Sequence, residues 1–205
     1  MKAVIMAGGF GTRLRPLTCN IPKPMVPMAN RPMMLHIVDL LKEHGFNDII
    51  SLLFYHPQVI RNYFGEGSDF GISMQYMLAE ADFGTAGSVR NALEKIGDDR
   101  IIVISGDVLT DFDLTDAIRF HEEKGADATI VLTRVPNPLQ FGVVIVDDEG
   151  NITRFLEKPS WGEVFSDTIN TGIYILENHV LQMIPYKDEY DFSKNLFPQL
   201  MLGGK

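Results

Sequence analysis

A Rossmann-like α/β domain, three layers thick and doubly wound around a mostly parallel mixed sheet, is the architecture that this sequence predicts. Three observations predict it. Apolar runs of strand length alternate with amphipathic helical stretches from residue 3 to residue 133. The run 100–105 is β-branched and nearly continuous, the pattern of a parallel strand buried on both faces. After Pro136 strand patterns follow one another across a turn, which makes the sheet mixed.

In chain order, residues 3–7 form a short apolar strand that stops at Gly8, Gly9 and Gly11. Residues 33–44 place Met34, Ile37, Val38, Leu40 and Leu41 on one helical face, and Gly45 ends that helix. A strand over 48–54, a short helix over 57–64 closed by Gly65, and a strand over 73–78 come next. Residues 85–95 read as a helix closed by Gly97. The buried strand 100–105 leads to a helix over 114–124 closed by Gly125, and then to a strand over 127–133. Segments 142–146 and 152–157 flank Asp147-Asp-Glu-Gly-Asn151 and read as a hairpin. Residues 168–176 add one more strand, 178–183 and 192–202 look helical, and the text stops at Gly203-Gly-Lys205 without a closing element. There are no internal repeats, and the methionines between 25 and 34 suit adaptable packing better than a cofactor site.

Composition narrows the function. At 205 residues, 45% hydrophobic and 22% charged, the chain has enough material for one sizeable core. A net charge of -9 argues against nucleic acid or an anionic membrane as the main partner, so any phosphate must be met locally. The single cysteine, Cys19, cannot form an internal disulfide, no apolar run is long enough to span a bilayer, and the N-terminus lacks a leader pattern; a cytoplasmic protein is expected.

The glycines after the first strand carry the chemistry. A chain free of Cβ atoms can turn tightly and bring backbone N–H groups close to an anion. Arg13 and Lys23 add a guanidinium that grips phosphate oxygens in pairs and a compact ammonium. Position 14 is Leu, so the dinucleotide fingerprint is absent, and Gly11-Thr12-Arg13 is not a Walker loop. The plain alternative is a strand-to-loop turn with surface basic residues. Both basic residues are expected in loops, because Pro22 and Pro24 exclude a helix around Lys23.

The text Gly8-Gly9-Phe-Gly11-Thr12-Arg13-Leu14 followed by Pro22-Lys23-Pro24 resembles the signature of the sugar-1-phosphate nucleotidyltransferases. The longer run Pro16-Leu-Thr, Pro22-Lys-Pro-Met-Val-Pro, Asn30-Arg-Pro and His36 looks most like the mannose-1-phosphate guanylyltransferase branch, and the likeness runs to about Pro198. It implies the nucleotide-diphospho-sugar transferase type of fold. It also implies that a nucleoside triphosphate, GTP first, and a sugar 1-phosphate, mannose 1-phosphate first, are condensed to a nucleotide sugar and pyrophosphate. Glucose 1-phosphate with UTP or dTTP is the other pairing that relatives use.

Further residues fit that picture on their own chemistry. Ser105-Gly106-Asp107 ends the most hydrophobic strand, where open α/β sheets bind ligands, and Mg²⁺ suits one carboxylate plus substrate phosphates. The resemblance makes Asp107 the metal ligand; a turn aspartate is the plain alternative. Asp111-Phe-Asp113 could be a metal-binding pair of a glycosyltransferase, but Asp113 followed by Asp116 reads more cheaply as a helix cap. Glu80, Gly84, Thr85 and Gly87 follow a strand and open a helix, and the resemblance places the base and ribose there. An ionised Glu80 only accepts hydrogen bonds, which matches the N1–H and N2–H₂ donors of guanine better than the mixed edge of uracil or thymine. The resemblance gives Glu157 the sugar hydroxyls and Lys158 the sugar phosphate, with Gly142, Asn170, Thr171 and Gly172 completing the pocket. An exposed Glu157–Lys158 pair is the alternative. None of the five histidines has metal-ligand spacing, His121 reads as part of a polar His-Glu-Glu-Lys face, and Trp161 falls in a loop where it could cover the sugar or pack on the surface.

The residues 1–205 are therefore expected to be one nucleotidyltransferase domain lacking its C-terminal closing part, because relatives carry a second metal-binding Asp and further strands beyond this point. A noncatalytic nucleotide-sugar sensor and a metal-dependent glycosyltransferase are the competing classes. The sequence is compatible with a homo-oligomer and does not specify one.

Overall fold

In a computed structural model, which describes residues 1–164 and 166–203, the chain builds an eight-stranded sheet covered by helices on both faces, with a separate two-stranded pair at 27–28 and 31–32. The ring of Trp161 and the terminal Gly204 and Lys205 lie outside the described residues.

The elements are, in order, β1 (Lys2–Met6), single 3₁₀ turns at Thr12–Leu14 and Lys23–Met25, the two-residue strands β2 (Pro27–Met28) and β3 (Arg31–Pro32), and α1 (Met33–Glu43). Then come β4 (Asp48–Leu53), α2 (Pro57–Phe64), β5 (Ser73–Leu78), α3 (Gly84–Asn91), α4 (Leu93–Ile96), β6 (Ile101–Ser105) and α5 (Leu114–Lys124). The last part is β7 (Ala128–Arg134), β8 (Gly142–Val146), β9 (Ile152–Glu157), β10 (Thr168–Leu176), α6 (Asn178–Gln182), a π turn at Phe192–Leu196 and α7 (Phe197–Leu202).

The sheet runs β5-β4-β1-β6-β10-β8-β9, with β7 also on β10. β5, β4, β1 and β6 are parallel to one another, while β10 runs antiparallel to β6, β7 and β8, and β9 antiparallel to β8. The sheet is thus mixed, with most strands pointing one way. Successive residues of β1 feed different cores: Ala3 and Ile5 pack under α1 and α2, and Val4 packs under α3 and the C-terminal helices. Burial on both faces is why the central strands read as unbroken apolar runs. The chain winds outward from β1 through β4 to β5 and returns to β6 on β1's other side, so the switch in winding falls between β1 and β6. Their carboxyl ends carry the glycine loop and Asp107, the position at which open α/β sheets bind ligands.

Several expectations are adjusted. Arg13 and Lys23 sit in one-turn 3₁₀ helices rather than plain loops. A single turn at Lys23 is compatible with Pro24, because the bonds are donated by Met25 and Val26, to the carbonyls of Pro22 and Lys23. The helix expected over 85–95 is broken at Ala92, whose N–H reaches Val89 O, three residues back. The helix expected over 192–202 opens with a π turn: Pro198 has no N–H to extend the ladder, and the Phe197 N–H bonds back to Phe192 O. His121 is not on a polar face. It is 1% exposed, on the inward stripe of α5 that begins at Leu114, with its ring nitrogens 2.8 Å from Thr129 Oγ1 and 3.3 Å from Glu177 Oε1. Met25, Met33 and Met34 are buried as packing residues. Among the described residues no helix is long and apolar enough to cross a membrane.

Candidate active site

One cleft of ≈ 1140 Å³ opens along the carboxyl ends of β1, β4, β5 and β6. Its first wall is the glycine loop. Gly11 has φ +62, and a Cβ there would stand 3.0 Å from Thr18 Cγ2 and 3.1 Å from Lys23 Cβ, so the loop closes on the segment that carries Lys23. The buried Thr18 hydroxyl donates to Gly11 O at 2.8 Å, and Tyr55 OH donates to Thr18 O at 3.1 Å, which holds the turn from both sides. Gly8, Gly9, Gly11 and Thr12 all line the cleft, and no atom stands within 4 Å of where a Gly9 Cβ would be. An anion can therefore approach this backbone closely.

Arg13, Lys23 and Asp107 line the same cavity. Lys23 Nζ donates to Asp107 Oδ2, and each side chain is about one-third exposed, 32% and 31%. Asp111 and Asp113 do not line it. Asp113 instead caps α5, its Oδ1 accepting from the Asp116 N–H at 3.0 Å, as the capping reading expected.

The second wall runs from Glu80 to Thr85 and includes residues 186–193, of which sequence reading passed over 186–191. That segment lies against the start of α3: Tyr190 N–H donates to Phe83 O and Gly87 N–H to Tyr190 O, both at 2.9 Å. A Cβ on Gly84, φ +69, would stand 2.7 Å from Tyr190 O, so this glycine admits the neighbouring chain. The Thr85 hydroxyl donates to Asp191 Oδ2 and accepts from the Phe192 N–H, each at 3.0 Å. Gly84 and Thr85 thus line the cleft while binding this segment, which brings Tyr186, Lys187, Glu189, Asp191 and Ser193 into it. Their own text, Tyr186-Lys-Asp-Glu-Tyr-Asp191, reads as an ordinary polar loop; no local signal marks it.

The third wall comes from the β8–β10 end. Gly142, Glu157, Asn170, Thr171 and Gly172 line the cleft, and a Cβ on Gly142 would stand 2.9 Å from Glu157 Oε2. β10 changes neighbours here: its first half pairs with β8 and its second half with β6, with a register shift between Asn170 and Tyr174 where Gly172 takes φ +83. Asn170 Oδ1 accepts from Gly172 N–H at 2.9 Å, and its amide donates to Tyr174 OH at 2.9 Å. Burial raises the Tyr174 phenol above its ordinary pKa, so this hydroxyl stays protonated. Lys158, like Gly87 of the expected base site, lies outside the lining; it is half-exposed, with Nζ 3.5 Å from Glu157 Oε1.

Charge decides what this cleft can hold. Arg13, Lys23 and Lys187 face Glu80, Asp82, Asp107, Glu157, Glu189 and Asp191, so carboxylates outnumber cations in the lining. A polyphosphate entering here gains from bringing a cation with it. Among the described residues no group of three or more His, Cys, Asp or Glu side chains could hold a metal unaided. One hard carboxylate beside an anion cradle suits Mg²⁺, which takes one or two protein carboxylates and completes its shell with water and phosphate oxygens. Asp107 fits that role.

Comparison with known proteins finds relatives along the whole chain. The sequence profile of the family described as nucleotidyl transferase matches residues 2–205. A UTP–glucose-1-phosphate uridylyltransferase of Synechocystis sp. is 42% identical over 217 residues, spanning 100% of this chain and 56% of that protein. A mannose-1-phosphate guanylyltransferase of Mycobacterium tuberculosis is 38% identical over 204 residues, again 100% and 56%. The chain therefore spans a little over half the length of these curated relatives. Among solved structures, HddC from Yersinia pseudotuberculosis complexed with GMP-PN superposes with a TM-score of 0.82 at 26% identity, covering 97% of this chain and 85% of that one. UDP-glucose pyrophosphorylase from Acinetobacter baumanii gives 0.84 at 25% identity, covering 98% and 82%.

Proposed function

The chain belongs to the nucleotidyl transferase family, and we propose that it condenses a sugar 1-phosphate with a nucleoside triphosphate, mannose 1-phosphate with GTP before other pairings. In this reading a phosphate oxygen of the sugar 1-phosphate attacks the α-phosphorus, the bond from that phosphorus to the bridging oxygen breaks, and pyrophosphate leaves. A phosphomonoester, with its second pKa near about 6, is already largely a dianion at neutral pH, so neither a protein nucleophile nor a general base is required. Alignment of two polyanions and neutralisation of developing charge remain.

The convergence of Arg13, Lys23 and Asp107 on one cleft, with Glu157 on the opposite wall, carries this reading. The glycine loop would present its amides to the triphosphate, Arg13 would bind the leaving pyrophosphate, and Lys23 would turn from Asp107 to the α-phosphoryl oxygens. Mg²⁺ held by Asp107 and substrate phosphates would supply further positive charge. Glu157 would accept from the sugar hydroxyls beside Gly142, Asn170 and Thr171. Lys158, whose side chain is 52% exposed, would have to swing from Glu157 to reach the sugar phosphate.

Glucose 1-phosphate with UTP is the second pairing, favoured by the 42% identical uridylyltransferase. A matrix of GTP, UTP, dTTP and ATP against mannose 1-phosphate and glucose 1-phosphate, read as pyrophosphate release, tests both. Release that needs GTP and mannose 1-phosphate supports the first pairing, and release with UTP and glucose 1-phosphate replaces it with the second. Nucleotide binding without release under any pairing would overturn the transferase reading.

A further inference from the structure

Lys187 is the cation of the cleft that the phosphate chemistry above leaves unused. Its backbone has φ +57, and its N–H donates to Asn91 Oδ1 at 3.2 Å, a bond that holds this left-handed residue against the end of α3. The Asn91 Nδ2, buried and without a partner among the described residues, belongs to the same wall. From there the Lys187 ammonium lies 3.8 Å from Glu80 Oε2 and 5.7 Å from the centroid of the Tyr186 ring. The Lys187 and Glu80 side chains are 54% and 82% exposed, so their mutual attraction is weak and both heads are available to a ligand.

A donor beside an acceptor matches a base edge that offers an acceptor beside a donor. Guanine offers O6 beside N1–H, and uracil O4 beside N3–H. Adenine and cytosine present the reverse order, an amino group beside an unprotonated ring nitrogen. Glu80 alone does not separate these classes, because a carboxylate accepts from an amino group as readily as from a ring N–H. An ammonium, with donors only, does. With the triphosphate anchored at the glycine loop, the order of groups along the base edge is set.

We propose that Lys187, positioned by Asn91, selects the base together with Glu80: its ammonium bonds the exocyclic carbonyl while the carboxylate bonds the adjacent ring N–H. The cleft then admits keto bases and rejects amino bases. Guanine ranks above uracil because its N2 amino group brings a second donor to the carboxylate. This rests on the cleft being a nucleotide site, as proposed above.

The test is equilibrium binding of GTP, ITP, UTP, ATP and CTP to the chain and to its Lys187→Met and Lys187→Arg variants, with a melting curve for each protein. GTP, ITP and UTP are expected to bind more tightly than ATP and CTP. Loss of one charge-assisted bond in Lys187→Met should shrink the preference for GTP over ATP roughly ten- to a hundredfold, and Lys187→Arg, which keeps a donor, should retain most of it. ITP, which lacks the N2 amino group, should fall between GTP and UTP. An unchanged GTP to ATP ratio in a folded Lys187→Met, or equal binding of GTP and ATP by the unaltered chain, would overturn the inference and leave the nucleotide site standing. Binding of no nucleotide would overturn the site and the inference together.

Discussion

Arg13 is exposed and makes no ion pair among the described residues, so its guanidinium contributes little to folding. Removing it therefore tests chemistry almost in isolation. Arg13→Ala should lower turnover about 10²- to 10³-fold, the scale of one lost preorganised donor at a charge-developing centre. Its melting temperature should match that of the unaltered chain, and an unchanged rate of pyrophosphate release would remove the residue from the mechanism. At this scale the sequence was readable wherever a residue's chemistry is carried by its neighbours in the chain. Gly8, Gly9, Gly11 and Arg13 suggest the proposed anion site because a run without Cβ atoms lets backbone amides approach a ligand that the neighbouring guanidinium can also grip. Lys187 announces nothing. Its neighbours are polar, and it acquires meaning only when the chain returns to lie against Phe83 and Gly87.

The helices and strands were the most legible level, since periodicity and caps act over a turn or two. α5 shows this: Asp113 accepts from Asp116 N–H at one end and Gly125 takes φ +57 at the other, both read from local text. Asp113→Ala should cost about 1 kcal/mol in urea unfolding, the usual worth of an N-cap, with nucleotide binding unchanged. Weakened nucleotide or metal binding in that variant would revive the Asp111–Asp113 pair as a site. Elements went astray where a distant contact competes with the local pattern. The helix after Gly84 breaks at Ala92, next to Asn91, whose side-chain Oδ1 accepts from the Lys187 N–H. The C-terminal helix opens as a π turn at Phe192, whose ring packs with Tyr174 and Phe197 at centroid distances of 4.9 and 5.6 Å.

Across the whole molecule, one polar cluster ties together elements distant in sequence. His121 from α5 contacts Thr129 of β7 and Glu177 at the end of β10; Arg100 before β6 donates to Glu177 at 2.7 Å and to Glu122 at 2.8 Å. Burial holds the His121 pKa below its ordinary value, outweighing the opposing pull of the Glu177 carboxylate. A histidine with a depressed folded-state pKa is fully stabilising above its unfolded value of about 6.5, and that contribution is lost as pH falls through the lower folded value. The urea midpoint should therefore drop from pH 7.5 towards pH 5.5, and more steeply than in a His121→Gln variant; parallel profiles would show that another group carries the acid sensitivity. The polar neighbours of His121 in sequence suggest an exposed face, and only the packing of α5 on the sheet turns the ring inward. The chain's text alone determined the alternation of strands and helices, the break after β1 and the glycine-rich turn of the loop that follows it, because each depends on residues within a turn or two of one another. The folded sheet decided which of many similar carboxylates share a cavity, that Asp107 meets Lys23 while Asp113 caps a helix, and that Lys187 faces Glu80. Those pairings depend on how strand order and crossovers bring remote segments together in space, and hydrophobic period does not encode that distance.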